Sequence, residues 1–431
     1  MKKSFILSVA VCLLAAAPSW AAGKKKSEPK EDYVFTTVKE NPITSIKNQN
    51  QSGTCWCFSS LSYLEAELLR MGKGTYDLCE SFVVYNTYMD RARAAVRTHG
   101  DVSFSQGGSF YDVIYCLKNY GMVPQEAMAA QGSLYGDSLY NHNELDAVTT
   151  AYVGAIAKNT GLKKLTPCWI NGLAGIYDAY LGKLPQTFTV NGKSYTPKTY
   201  AESLGLNPDD YVSLTSFTHH PFYTSFVIEV QDNWRWAQSY NLPLDELMET
   251  MEYAIKNGYT FAWGADVSEK GFGRNGIATV PLEKGERDMA GSDAARWTGT
   301  NKTNDKKAEQ ADKFAEKTIT QEMRQQAYDN WETTDDHGMV IYGIAKDQRG
   351  NEFFMVKNSW GNYGKYHASS MPLSLMYLQD HEHPDQQARH SGCHCCQVGH
   401  QVIGRPVLNT LHGRRPSSGA VLAYHKLIFI G

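Results

Sequence analysis

Apolar residues recur at Phe58, Leu61, Leu64, Leu68 and Leu69, a helical spacing that begins directly after Gly53-Thr54-Cys55-Trp56 and stops at Gly72. Thr54 is placed to cap this helix, so Cys55 is predicted at its first position, where unpaired N–H groups and the helix dipole favour an anion. That setting predicts a thiol with a lowered pKa. A second helical pattern runs from Tyr76 to Tyr88. A third opens at Ser109, with Asp112 three residues on, and closes at Gly121. Gly107-Gly108 stands just before it, where a turn, or the close approach of another backbone, would need no Cβ.

From about Gly132 to Asn257 the pattern is mixed and helix-rich. Helices are predicted over Leu145–Ile156, Ile170–Leu181 and Leu244–Ile255, and Phe188 to Tyr195 reads as a hairpin turning at Asn191-Gly192. His219-His220, adjacent and with no nearby third ligand, reads as a loop before Pro221. Strands then take over. Tyr259–Val267 alternates with aromatics, Glu283–Lys317 is a charged, solvated excursion, and Thr320 opens a helix through Asn330. His337 starts an apolar strand through Ala345, residues 347–351 form a turn cluster, and Phe353–Lys357 returns to Asn358-Ser359-Trp360-Gly361.

If those two strands pair, Asn358 returns to within a residue or two of His337. The carboxamide oxygen can then hold one ring nitrogen protonated while the other faces outward, and Trp360 can shield that bond from water. A thiol at a helix start together with a His-Asn pair makes a nucleophilic triad. Asp336, beside the histidine, either tunes the pair or is an exposed loop carboxylate; the second is the reading adopted.

Composition narrows the class without changing this picture. The 431 residues are 42% hydrophobic and 20% charged, with net charge −3, which suits neither nucleic acid nor an anionic membrane. Lys2-Lys3, the apolar run Phe5–Ala17 and small residues to Ala21-Ala22 read as a cleaved secretory leader (1–21), followed by a polar tether (22–32). Export to a periplasm or beyond is expected. The nine cysteines are odd in number and unevenly spaced, so no disulfide framework is read; Cys116 and Cys168 are taken as small core residues.

Gln49…Cys55-Trp56, Gly107-Gly108, His337 and Asn358-Ser359-Trp360-Gly361 together resemble the papain-like cysteine peptidases, within them the bleomycin hydrolase and aminopeptidase C branch. The Cys-to-His interval of 282 residues exceeds the roughly 130–150 of the papain pattern, as that branch's long insertions would require. The resemblance implies an α+β, two-lobe fold with a helical lobe at about 47–131, a long helical insertion at about 132–257 and a β lobe at about 258–366. It implies Cys55 as nucleophile, His337 as base and then acid, Asn358 as its orienting partner, and Gln49 as an oxyanion donor with the Cys55 N–H. Gly107 and Gly108 would receive the substrate backbone, with Trp56 and Trp360 supporting. Ser52 stands where papain has a disulfide-bonded cysteine, so that bridge is absent. No cofactor or metal is implied. The branch often assembles as a hexamer, and a homo-hexamer is the corresponding expectation.

The last 65 residues (367–431) depart from the family's Gly/Tyr-rich strand and C-terminal arm, which in the aminopeptidases restricts cleavage to free N-termini. They hold eight of the 13 histidines and Cys393-His394-Cys395-Cys396, with little strand or helix periodicity. The tail is read as out-of-frame or otherwise unselected sequence in preference to a metal-binding segment. An exported thiol aminopeptidase is therefore the leading function. An endopeptidase broadened by the altered arm, an inactive or truncated relative, and a transglutaminase-like acyltransferase are the alternatives; Asn358, where the last would carry Asp, favours the peptidase.

Overall fold

The structure is a computed structural model that describes residues 32–128, 140–159, 161–269, 271–273, 275–280, 319–361, 375–380 and 401–404. The chain divides into two units, residues 1–34 and 35–431. The predicted leader, the excursion at 283–317 and the Cys-His cluster of the tail lie outside the described residues. Among the described residues no helix is long and apolar enough to cross a membrane.

Strand β1 (Thr36–Glu40) leads to α1 (Cys55–Arg70), α2 (Glu80–Arg97) and α3 (Phe110–Asn119). Helix α1 is buried on nearly every side, which its apolar stripe alone would not require. Its polar residues are accommodated locally: Glu65 accepts hydrogen bonds from the Leu78 N–H (2.9 Å) and the Thr44 hydroxyl (2.6 Å), and Glu67 is paired with Arg70. Helix α2 starts and ends later than its pattern predicts. Helix α3 carries the capping box read from Ser109 and Asp112.

The insertion begins as the sequence predicts, with α4 (Asn143–Ala157), α5 (Cys168–Tyr180) and the hairpin of β2 (Phe188–Val190) and β3 (Lys193–Tyr195); α6 (Pro197–Leu204), which follows, is not among the predicted helices. Positive φ at both Asn191 and Gly192 matches the two-residue turn. Cys116 is buried but Cys168 is exposed at a helix start, so its reading as a core residue fails.

The second half of the insertion corrects the expectation of a helical region. Strands β4 (Tyr211–Thr215), β5 (Ser225–Val227) and β6 (Gln238–Asn241) join the main sheet, followed by α7 (Leu244–Lys256), β7 (Phe261–Ala265) and β8 (Ile277–Ala278). Then come α8 (Gln321–Asp329), whose Thr320 cap accepts from the Met323 N–H, β9 (His337–Lys346) and β10 (Glu352–Lys357). The tail is also not patternless: β11 (Leu375–Asp380) pairs antiparallel with β10, and β12 (Gln401–Gly404) lies between β4 and β7.

The resulting sheet runs β5-β6-β4-β12-β7-β9-β10-β11-β8, with β1 also on β9. One apolar cluster, centred on Leu61, Leu64, Val83 and Val113, fills the helical lobe. A second, with Phe261, Trp263, Ile341 and Phe354, lies against α7. Helix α1 packs on β7 and β9, which brings the start of the helix to the start of β9.

Candidate active site

Cys55 is the first residue of α1, as predicted, but Thr54 does not cap the helix with its side chain; its hydroxyl is engaged with Ser52 Oγ at 2.7 Å. On the facing lobe His337 opens β9, paired across to Ala265. The two meet in a cavity of about 730 Å³ that is also lined by Gln49, Gly107, Gly108, Asp232, Asp335, Asp336 and Trp360. Of the expected catalytic, substrate-binding and supporting residues, all line this cavity except Asn358, which stands behind His337.

The β9–β10 hairpin delivers the predicted pair. His337 Nε2 lies 2.8 Å from Asn358 Oδ1, and the Ser359 N–H donates to the same oxygen at 2.7 Å. Because that N–H fixes the oxygen end of the amide toward the ring, Nε2 must carry the hydrogen. Nδ1 therefore holds the lone pair, the tautomer a base needs. Trp360 covers the ring with centroids 4.6 Å apart.

Gln49 links the two lobes. Its backbone N–H donates to Ser359 O at 2.8 Å, its Oε1 accepts from Ser359 Oγ at 2.5 Å, and its Nε2 donates to Ser52 O at 2.8 Å. One amide hydrogen is thus spent on the loop before Cys55, and the second remains for the cavity.

Trp56 fixes the Gly-Gly segment to α1. Its Nε1 donates to Gln106 O at 3.0 Å, and a Cβ on Gly108 would lie 2.8 Å from the indole. Gly107 is tighter still. A Cβ there would fall 2.0 Å from an Asp232 carboxylate oxygen, so Asp232 sits directly against its backbone. Fully buried Arg91 holds that arrangement, donating to Gly107 O at 2.6 Å and to Asp232 at 3.3 Å.

The electrostatics differ from the sequence expectation. Burial pushes the Cys55 thiol up to about 12; a backbone bond from Gly338 opposes this, while Asp335, Asp232 and Asp336 add to it. Burial draws His337 down to about 4, against the Asn358 hydrogen bond. Burial thus favours the uncharged form of each group, and the carboxylate wall works against the thiolate in opposition to the helix start.

That wall was not read from the sequence. Asp336 is no exposed loop group: it is half-buried, accepts from the Val267 N–H at 2.9 Å, and is raised to about 8 by burial and Asp266. Asp335 is raised to about 7 by burial and by Asp232, and its side chain has no hydrogen-bond or ion-pair partner among the described residues. Arg91 and Asp232 lie 141 positions apart in the sequence, and no local pattern links them.

No family model matches the chain. Among curated proteins it is similar to aminopeptidase G of Lactobacillus delbrueckii subsp. lactis, 24% identical over 369 residues covering 76% of this chain and 77% of that one. Aminopeptidase E of Lactobacillus helveticus is 23% identical over 366 residues, with the same shares covered. Among solved structures, PepW from a Lactobacillus superposes with a TM-score of 0.61 at 19% identity, covering 88% of this chain and 86% of that one. In fold the chain is like PepW, and in sequence and in its Cys-His-Asn geometry it is similar to the papain-like cysteine peptidases of the bleomycin hydrolase and aminopeptidase C branch.

Proposed function

We propose that the protein hydrolyses peptide bonds through a thioester on Cys55 and acts from the free N-terminus of its substrate. The observation that carries this reading is the single cavity shared by Cys55 and the His337–Asn358 pair at 2.8 Å. The Cys55 sulfur attacks the carbonyl carbon while His337 Nδ1 takes the thiol proton, so both charges appear only in the step that uses them. The oxyanion is met by the Cys55 N–H, which has no intrahelical acceptor at the first helical position, and by the spare Gln49 amide hydrogen. His337 then passes its proton to the leaving amine. Water, deprotonated by the same nitrogen, attacks the thioester, the carboxylate leaves, and the thiol is reprotonated.

The preference for a free amine rests on the opposite wall. An extended substrate laid along Gly108 and Gly107 meets Asp232, which occupies the space over Gly107 and stops the chain there. Beyond Cys55 the peptide can then extend only briefly, and what ends against Asp232 and Asp335 is its α-ammonium. A cation between two neighbouring carboxylates relieves their repulsion, and Arg91 neutralises only the first. A second reading, an endopeptidase, would need Asp232 to swing away from Gly107. The leader-like start supports export as part of this proposal.

The test combines intact mass with turnover. The mature protein is weighed before and after a thiol-directed epoxysuccinyl peptide, and peptides with free and acetylated N-termini are compared. A single adduct on Cys55, with free-amine peptides turned over at least ten times faster, is the expected result. A folded, reduced sample that takes no adduct would end the enzyme reading, and equal turnover would end the aminopeptidase one.

A further inference from the structure

Away from the cleft, the two histidines read as a plain loop find a third ligand that their sequence neighbourhood did not offer. His219 Nε2 lies 3.2 Å from Glu229 Oε2, and His220 Nε2 lies 3.3 Å from Glu229 Oε1. One ligand atom from each of the three residues falls within 4.8 Å of the others. A tetrahedral ion with bonds of about 2.0–2.1 Å needs its ligand atoms roughly 3.3 Å apart; each imidazole keeps that spacing from its own oxygen of the carboxylate, and a small rotation of Glu229 would bring one oxygen to both.

The rings are held rather than free. His220 stacks on Phe226 with centroids 4.1 Å apart and planes 24° apart, and His219 stacks on Tyr328 at 15°. Beneath them Phe217, Phe226 and Ile228 form a small buried cluster of their own. An outer shell is also present. Gln325 Oε1, which accepts from the Thr218 N–H at 2.6 Å, lies 3.3 Å from His219 Nδ1 and can accept its hydrogen once Nε2 ligates. Tyr328 Oη donates to the Glu229 carbonyl at 3.1 Å and reaches its carboxylate at 3.4 Å. Such partners orient the first ligands and raise metal affinity, typically by about 10–100-fold.

We propose that His219, His220 and Glu229 bind a divalent zinc ion that closes the 218–229 segment on itself, with Gln325 and Tyr328 of α8 as its outer partners. Two imidazoles and one carboxylate suit zinc or a similar first-row ion and disfavour calcium and magnesium, which take oxygen ligands. Three protein ligands at a surface leave the fourth position to water, so the ion is exchangeable. Its place gives it reach. Glu229 is three residues from Asp232, so the ion would restrain the segment that carries this carboxylate to the cleft.

The experiment is zinc titration by calorimetry on the full-length protein after iodoacetamide has blocked its accessible thiols, with thermal unfolding read alongside. One zinc is expected with a dissociation constant of about 10 µM or tighter, and saturating zinc should raise the unfolding temperature. Glu229→Gln, which keeps size and shape, should weaken this binding at least tenfold, and His220→Ala about a hundredfold, with the thermal shift lost in both. Alkylated wild-type protein that binds no zinc below 1 mM would overturn the proposal. So would Glu229→Gln binding zinc as tightly as wild type, which would assign the ion to histidines elsewhere.

Discussion

The two walls of the cleft are built by different means. On one, Cys55, His337 and Asn358 come from two short contiguous stretches, a loop-helix junction and a hairpin, and each stretch positions its own residues. On the other, Asp232, Asp335 and the buried Arg91 come from an insertion loop, a strand approach and a helix. The first wall holds groups whose uncharged forms burial favours, while the second sets the Arg91–Asp232 ion pair beside a carboxyl that titrates near neutrality. A reaction can thus be specified by local sequence, whereas the choice of substrate depends on which distant segments the topology brings together.

The largest effect should come from the first wall. Cys55→Ser is expected to lower kcat/KM by about 10⁴-fold or more on any peptide, measured by single-turnover assay. Asn358→Ala removes the acceptor that sets the His337 tautomer, and about a hundredfold fall in kcat with little change in KM is expected. If KM moved instead, the orienting role would be wrong.

The second wall should respond differently. Asp335→Asn is expected to reduce the free-amine over blocked-amine ratio of kcat/KM by about ten- to a hundredfold, chiefly through KM, as loss of one charge-assisted hydrogen bond worth about 1.5–3 kcal/mol implies. A parallel loss on both substrates would erase the distinction between the walls.

Stability offers a further contrast. Asp335 at about 7 and Asp336 at about 8 keep protons that the unfolded chain releases near its ordinary carboxylate value. That stabilisation is complete below about pH 4 and is lost as pH rises through 7 and 8. Between pH 6.5 and 8 the range lies above that of His337 and below those of Cys55 and Lys357. The unfolding temperature should fall across it, and Asp335→Asn should flatten the fall. The smallest expected effect is at the seam. A Cβ at Gly338 would lie 2.7 Å from Ser59 Oγ and 2.8 Å from the Phe110 ring, so Gly338→Ala should cost about 1–3 kcal/mol in denaturant unfolding.

The same contrast explains what the sequence made legible. Gly53-Thr54-Cys55-Trp56 and the 337–361 hairpin carry their geometry within a few residues, so helix start, turn and His-Asn contact could all be anticipated. The thiol's pKa could not, because burial and Asp335 act on it from another lobe. Strands β4 and β6 are short and half polar, and they take their place from β12, a partner some 160 residues or more further on, and from each other; an insertion seen alone reads as helical. Glu229 escaped as a partner of His219 for a related reason: β5 folds the chain back between them.

The position of β12 between β4 and β7 sets an order on assembly during synthesis. At about 5–20 residues per second, β4 waits roughly ten to forty seconds for the strand that joins it to β7. Until then the sheet is two separate halves with facing open edges, one holding β4 to β6 and the other β7, β9 and β10. The nascent chain is thus exposed to mispairing from the completion of β4 at Thr215 onward, and whatever shields those edges acts before residue 401 emerges.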